Sequence, residues 1–168
     1  MNNDINIDDE MTLCIRQAKD ADMPSILTIE QDSFVEPWRQ SEFDSHQNSL
    51  GMVAEHDNQV VGFVVYEIRL GKIRVLDIAV ADVFRRQSVG THLIDALIAQ
   101  LCPGKPRSIV FITAETNASA IAFVGKLGFR STKVLRGHFN NQEDAIRFEW
   151  NLRGHRDIAS RKEVDDAT

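Results

Sequence analysis

The 168-residue chain has no long apolar run, since no stretch approaches the roughly 18 consecutive apolar residues that a bilayer-spanning helix needs. Its first ten residues, MNNDINIDDE, are acidic and lack the basic and apolar regions of a secretory signal peptide. We therefore expect no membrane partner and a cytoplasmic location.

Cysteine and histidine are also scarce, and the chain has no excess of positive charge. Cys14 and Cys102 are too far apart for a metal knuckle or a redox pair, and their apolar surroundings predict reduced core residues. The five histidines show no i, i+4 pairing and no carboxylate partner in register, so we expect no metal. The net charge of −6 argues against nucleic acid as a partner, because phosphates require a basic surface.

The hydrophobic residues, 43% of the chain, are spread along its length, as is typical of one globular domain. Periodicity predicts strands over 12–17, 52–55, 60–67, 73–80, 109–112, 129–135 and 145–152, and helices over 20–33 and 88–101. A further helix precedes Gly128, and Asp57 and Asn58, which tolerate the left-handed conformation, predict a turn between the strands 52–55 and 60–67. This order predicts an α/β (α+β) domain over 12–152. Residues 1–11 and 153–168, rich in charge, are expected to be a flexible acidic N-terminus and a flexible charged tail.

The segment VLDIAVADVFRRQSVGTHLI, residues 75–94, joins a strand that is apolar on nearly every position to an amphipathic helix through a turn that contains two arginines. Pro103 and Gly104 are expected to end this helix. Free N–H groups at a helix start favour an anion, and the best candidate is a pyrophosphate. The three-glycine dinucleotide fingerprint and the Walker pattern are both absent. An ordinary strand, turn and helix with solvated arginines fits the spacing equally well.

The residues Arg85, Arg86, Gln87, Ser88, Val89 and Gly90 are similar to the coenzyme A signature of the GNAT acetyltransferase superfamily. That signature is an Arg or Gln, two residues, Gly, one residue, then Gly or Ala. Ser88 replaces the first glycine, and we expect it to keep the backbone N–H while losing glycine's easy access to positive φ. The resemblance implies a GNAT fold, with a mixed, mostly antiparallel sheet of six to seven strands and about four flanking helices.

A second block, NASAIAFVGKLGF at residues 117–129, resembles a later motif of the same family. Gly128 is expected to be the left-handed residue after a helix. A small alanine-rich core helix would also satisfy this block. Together the two blocks imply acetyl-CoA as cosubstrate, held by Ile78, Ala79, Val80, Arg85, Arg86, Gln87, Ser88, Val89, Gly90, Thr91, Asn117, Ala120 and Phe123.

A third segment, SFVEPWRQSEF, resembles the acceptor-side region of the ribosomal-protein alanine N-acetyltransferase group within this superfamily. The resemblance implies that Phe34 and Trp38 contact the acceptor. The alternative is two short helices buried by large aromatic residues, with Pro37 in the first turn of the second helix.

The usual catalytic positions of the family hold Ile112, Val124 and Arg74, none of which carries a carboxylate or a phenol. The resemblance implies that the backbone N–H near Val80 polarises the thioester carbonyl. The catalytic candidates that remain in this chain are Asp77, Glu115 and Tyr66.

Each of these candidates has an alternative role. Asp77 interrupts an apolar strand, where burial would raise its pKa, but a hydrogen-bonded structural role is equally available. Glu115 is either an acid or base, or the cap of the following helix. Tyr66, the one tyrosine in the chain, either donates a proton or packs in the core.

The sequence thus predicts an acetyl-CoA-dependent N-acetyltransferase that acts on the α-amino group of a peptide or protein. Two alternatives remain, namely a small-molecule amine acetyltransferase and a non-catalytic protein that binds coenzyme A and regulates. The empty catalytic positions motivate the non-catalytic alternative. The sequence carries no signal for the oligomeric state.

Overall fold

The computed structural model describes residues 12–46, 49–102, 106–139 and 142–152. Seven strands form one sheet in the order β1-β2-β3-β4-β5-β7-β6, with β4 and β5 parallel and every other neighbouring pair antiparallel. The elements in chain order are β1 Cys14–Gln17, α1 Met23–Ser33, α2 Gln40–Ser45, β2 Ser49–His56, β3 Gln59–Arg69, β4 Lys72–Val80, α3 Val89–Ile98, β5 Ser108–Ala114, α4 Ala118–Lys126, β6 Arg130–Leu135 and β7 Ala145–Asn151. The predicted fold class and element order are confirmed.

Helices cover both faces of the sheet, which explains why β4 is apolar on nearly every position. Helices α3 and α4 pack on one face, where Leu93, Leu97 and Val124 join the main core cluster. Helix α1 packs on the other face through Ile26 and Ile29, against a smaller cluster that includes Phe63 and Val65. We call these the α3 face and the α1 face.

A β-bulge in β4 changes which side chains reach the α1 face. Tyr66 on β3 pairs with Val75, whereas the adjacent Val65 pairs with Asp77, so Leu76 is an extra residue on β4. Directly opposed residues share a face of the sheet, and Val65 belongs to the α1-face cluster. The bulge therefore turns Asp77 towards α1.

Strands β4 and β5 pair over a short distance. Their described pairs are Ile73 with Ile109 and Arg74 with Val110, after which the two strands separate. Because parallel strands run in the same direction, the gap lies between residues 75–80 of β4 and 111–114 of β5. We call this gap the β4–β5 opening.

Three local predictions are wrong. Helix α3 ends at Ile98 rather than at residue 101, because the N–H groups of Gln100 and Leu101 bond three residues back in a tighter turn. Pro37 precedes α2, which starts at Gln40. Both Cys14 and Cys102 are exposed rather than in the core.

Other expectations concern the turns and the chain ends. Asp57 and Asn58 adopt positive φ values of 48° and 62° in the predicted β2–β3 turn, and Gly128 is left-handed with φ 82°, as predicted. Pro103, Gly104 and the segments 1–11 and 153–168 lie outside the described residues. The limits of the domain stay a prediction.

Candidate active site

The β4–β5 opening presents a backbone donor at Val80. The N–H of Ala81 donates to the Val61 carbonyl on β3 at 2.9 Å. Successive residues of an extended strand direct their N–H groups to opposite sides, so the N–H of Val80 points away from β3. This donor therefore faces the opening, at the position that the sequence resemblance implies for carbonyl polarisation.

The turn that follows β4 forms a concave row of N–H groups. Arg86 and Ser88 have positive φ values of 64° and 63°, and Ser88 is the residue that precedes α3. Left-handed residues that alternate along a turn make an anion-binding nest, and the first N–H groups of α3 have no acceptor within the helix. Ser88 thus adopts the positive φ that glycine would reach more easily.

Arg85 braces this turn against the strand and α1. Its Nε donates to the Val80 carbonyl at 2.9 Å, one terminal nitrogen donates to Ser33 Oγ at 3.0 Å, and the other lies 2.7 Å from an Asp82 carboxylate oxygen. Gln87 similarly donates to the Val83 carbonyl at 2.8 Å. These contacts indicate that both side chains hold the shape of the turn.

Three of the predicted coenzyme residues meet beside the opening. A Cβ on Gly90 would lie 3.2 Å from Cζ of Phe123 and 3.8 Å from a methyl group of Val80. The absence of a side chain at Gly90 thus lets the Phe123 ring approach the first turn of α3. Asn117 and Ala120 stand at the start of α4, where the Asn117 side chain accepts the Ala120 N–H at 3.0 Å. Ile78 and Ala79 lie on β4 beside Val80.

The three positions that the sequence resemblance implies as the usual catalytic ones hold side chains unsuited to acid or base chemistry. Val124 is fully buried, Ile112 lies on β5, and Arg74 forms an ion pair with Glu67 at 3.3 Å. Any proton transfer must use other groups.

The three candidates for that role lie apart from one another. Tyr66 is buried in the α3-face cluster, and its hydroxyl lies within 3.4 Å of the Gln100 side chain. Asp77 lies on the α1 face. Glu115 is exposed and directly follows β5 at the wide end of the opening, and Asn117, not Glu115, caps α4.

A residue that sequence reasoning missed lies next to Asp77. Glu30 on α1 is only 1% exposed, and its Oε1 accepts the backbone N–H of Trp38 at 2.8 Å. Its Oε2 and the Oδ2 of Asp77 are buried, and neither has a donor among the described residues. One signal was present in the sequence, because Glu30 stands four residues after Ile26 and one after Ile29, on the apolar stripe of α1.

Burial governs the protonation of both carboxyl groups. Loss of hydration, with the neighbouring Glu30, raises the pKa of Asp77 to about 8. Loss of hydration also raises the pKa of Glu30 from its usual value, opposed by the Trp38 N–H. Both carboxyl groups therefore hold a proton more readily than an exposed carboxyl does, and they titrate as a coupled pair.

The predicted acceptor residues belong to an aromatic group on the α1 face. Trp38 stacks on His46 with ring centres 4.9 Å apart and meets Phe43 edge to face at 5.3 Å, while Phe43 contacts Phe63 of β3. Phe34, which ends α1, is 38% exposed. Residues 34–39, which we call the acceptor loop, therefore present an aromatic surface anchored to the sheet.

Neither a metal site nor a membrane-spanning helix is found in the described ranges. In that part of the chain, no cluster of three or more His, Cys, Asp or Glu side chains has an arrangement suited to a metal ion. No helix among these residues has the length and apolar character needed to cross a membrane.

Comparison with known proteins agrees with the geometry. The family model described as the acetyltransferase (GNAT) family matches residues 23–129. The [ribosomal protein bS18]-alanine N-acetyltransferase of Escherichia coli K12 is 27% identical over 137 residues, which cover 79% of this chain and 93% of the relative. The N-alpha-acetyltransferase of Sulfurisphaera tokodaii is 30% identical over 147 residues, covering 78% and 88%.

Solved structures give the same picture. The ribosomal-protein-S18-alanine N-acetyltransferase from Escherichia coli superposes with a TM-score of 0.75 at 25% identity, covering 84% of this chain and 94% of that one. Ard1 from Thermoplasma volcanium superposes with a TM-score of 0.73 at 28% identity, covering 83% and 97%.

Proposed function

Because the chain belongs to the acetyltransferase (GNAT) family and is an N-acetyltransferase, we propose that it uses acetyl-CoA to acetylate the α-amino group of a protein or peptide. The observation that carries this proposal is the β4–β5 opening, with an unpaired strand edge on one side and an anion-binding turn at its wide end. Relatives named for ribosomal protein bS18 and for N-alpha acetylation favour a protein N-terminus. Proteins of that kind are made in the cytoplasm, which we propose as the compartment.

The residues around the opening fit acetyl-CoA. The N–H groups of Ser88, Val89, Gly90 and Thr91 suit a pyrophosphate, and the Phe123 ring that packs against Gly90 offers an apolar surface to the pantetheine arm. Acetyl-CoA supplies an activated acetyl group as a thioester.

The transfer itself needs a donor to the carbonyl oxygen and a group that takes the proton of the amine. The N–H of Val80 stabilises negative charge on that oxygen, and one such donor contributes about 3 kcal/mol to a transition state. Glu115 takes the proton of the amine as the C–N bond forms, since it is an exposed carboxylate at the wide end of the opening. The C–S bond of the thioester breaks, and coenzyme A leaves as a thiolate that takes a proton from the solvent at this end. Phe34 and Trp38 contact the acceptor from the α1 face.

The experiment combines the purified protein and acetyl-CoA with peptides that differ in their first residue, each paired with a peptide whose N-terminus is blocked. Mass spectrometry measures the gain of one acetyl group. Acetylation of the free N-termini alone supports the proposal. Acetylation of small amines alone overturns the peptide acceptor, acetyl-CoA binding without any product favours the non-catalytic alternative, and absence of binding overturns the coenzyme site.

The role of Glu115 has its own test. Glu115→Gln is expected to lower kcat about 100-fold, the usual range for loss of a general base, with little change in the KM for acetyl-CoA. Asp57→Asn, which changes an exposed carboxylate in the β2–β3 turn, is the matched control. Equal rates in both variants would overturn the role of Glu115.

A further inference from the structure

Glu30 and Asp77 bring two acidic side chains together in the interior between α1 and β4. Ionised carboxylates without partners are costly to bury, and two of them side by side repel each other. Glu30 Oε2 and Asp77 Oδ2 nevertheless lack a donor among the described residues. Two ionised carboxylates have no hydrogen to donate to each other. A proton on one of them removes the repulsion and supplies a donor to the other.

The other oxygens of the pair connect two separate parts of the site. Glu30 Oε1 accepts the N–H of Trp38 in the acceptor loop at 2.8 Å. On the other side, Asp77 lies beside Glu30 and belongs to β4, three residues before Val80. A hydrogen bond between the two carboxyl groups would therefore connect the acceptor loop to the strand whose edge lines the opening.

Few other charged groups lie near Glu30 and Asp77 among the described residues. Glu42 on α2 is close enough to raise the pKa of Glu30, while β3 presents the uncharged side chains Phe63 and Val65 on the same face. Among cations, Arg85 contacts α1 at Ser33 but is ion-paired with Asp82. Arg74, earlier on β4, is ion-paired with Glu67.

We propose that Glu30 and Asp77 share one proton and that this hydrogen bond holds the acceptor loop in position relative to the strand edge that receives the thioester. Glu30 is thus a positioning residue for the acceptor, acting through the backbone of Trp38. The inference rests on the proposed function, since it assigns the acceptor to residues 34–39. When the proton is lost at alkaline pH, the two charges repel, Glu30 moves and the loop loses its anchor.

The kinetic test compares Glu30→Ala, Glu30→Gln and Asp32→Asn. Glu30→Ala is expected to raise the KM for the acceptor peptide about tenfold, the effect of losing one hydrogen bond to a charged group, and to leave the KM for acetyl-CoA near its original value. Glu30→Gln is the conservative variant, because its amide oxygen can accept the Trp38 N–H and its amide NH₂ group can donate to Asp77. The glutamine amide carries no titratable proton. Asp32→Asn changes an exposed carboxylate on the same helix and is the matched control.

The pH profile adds a readout that a purely structural role would not change. In the unmodified protein the acceptor KM should rise above about pH 8, where the shared proton is lost. Glu30→Gln should remove this rise, because its amide does not titrate. The acceptor amine titrates equally in both proteins, so the comparison cancels its contribution. A KM that rises identically in both proteins, or a Glu30→Ala variant that weakens both substrates equally, would overturn the proposal.

A spectroscopic test needs neither substrate and separates this inference from the proposed function. The chain has two tryptophans, so selective ¹⁵N-tryptophan labelling gives two backbone amide signals, assigned by Trp38→Phe. The Trp38 signal is expected to titrate with a midpoint near pH 8 in the unmodified protein and to stay constant through that range in Glu30→Gln, with Trp150 as internal reference. A Trp38 signal that titrates unchanged in Glu30→Gln would overturn the shared proton, whatever the acceptor proves to be.

Discussion

At the scale of single residues, Ser88 occupies a backbone conformation that normally belongs to glycine. Its φ of 63° is set by the turn that precedes α3, and its side chain makes no capping hydrogen bond. A left-handed conformation costs a residue with a Cβ about 1 kcal/mol or more. We expect Ser88→Gly to raise the free energy of unfolding by less than about 1 kcal/mol, because the entropic cost of glycine offsets part of the relieved strain. Urea unfolding monitored by circular dichroism measures the change.

Ser88→Ala is the control for that prediction, because alanine removes the hydroxyl and retains the backbone strain. It should leave the free energy of unfolding near that of the unmodified protein. If alanine stabilises as much as glycine, the strain explanation is wrong and the serine hydroxyl is the destabilising group.

Asp77 makes stability depend on pH in an unusual direction. The pKa of its carboxyl is about 8 in the folded protein and near 3.8 when unfolded, so the folded state holds one more proton between these values. The free energy of unfolding should therefore fall as pH rises from about 4 to about 8, then level off. Asp77→Asn should flatten this decline and be more stable than the unmodified protein at pH 9, measured by thermal unfolding at a series of pH values.

Asp144 provides a control of opposite sign. The Gly137 N–H and the Arg136 guanidinium lower the pKa of its carboxyl. Its contribution to stability is therefore present above the unfolded pKa and is lost as the pH falls below it. Asp144→Asn should be the less stable protein at neutral pH, so a gain at pH 9 in both variants would contradict the explanation given for Asp77.

At the scale of elements, two glycines in helices test how closely α3 and α4 approach. A Cβ at Gly90 would lie 3.2 Å from the Phe123 ring, whereas a Cβ at Gly125 would have no neighbour within 4 Å. Alanine in a helix interior is favoured over glycine by about 1 kcal/mol. We expect Gly125→Ala to gain this stability, and Gly90→Ala to lose affinity for acetyl-CoA because Phe123 is displaced.

Isothermal titration with acetyl-CoA and thermal unfolding of both variants measure these effects. Gly125→Ala should bind acetyl-CoA as the unmodified protein does. Unchanged affinity in Gly90→Ala would show that the Phe123 ring does not shape the coenzyme site.

The elements themselves were predictable where local chemistry decides them. Asp57, Asn58 and Gly128 have the left-handed tolerance that their turns require, and the sequence identified each of them. The β4 bulge was not predictable, because a strand buried on both faces has no alternation from which a register shift can be read. The direction of Asp77 depends on that bulge.

At the scale of the whole molecule, the predicted site consists of segments that are distant in sequence. Val80, Gly90 and Phe123, which the resemblance implies for the coenzyme site, lie close together, and their role in binding the coenzyme stays a prediction. Sequence reasoning missed Glu30 because its partners belong to other segments. Trp38 lies in the acceptor loop, and Asp77 follows the bulge in β4. A buried pair of this kind depends on tertiary packing, which no local pattern specifies.

The negative charge of the molecule predicts that salt affects basic and neutral acceptor peptides differently. The chain has a net charge of −6, and two exposed carboxylates lie in this region, Glu36 on the acceptor loop and Asp44 on α2. Negative charge around a site attracts cationic ligands, and salt screens this attraction over about 10 Å at 0.1 M. We expect kcat/KM for peptides with lysine after the first residues to fall as salt rises, and that for neutral peptides to stay constant.

Initial rates for matched lysine and glutamine peptides between low and high salt give this measurement. Glu36→Gln combined with Asp44→Asn should reduce the salt dependence for the lysine peptide and leave the glutamine peptide unaffected. Glu42 is kept in this variant, because its carboxylate accepts the Arg39 N–H at 2.8 Å and supports the start of α2. If the salt dependence persists in the double variant, the attraction arises from the overall charge of the molecule, and the acceptor loop does not select basic peptides.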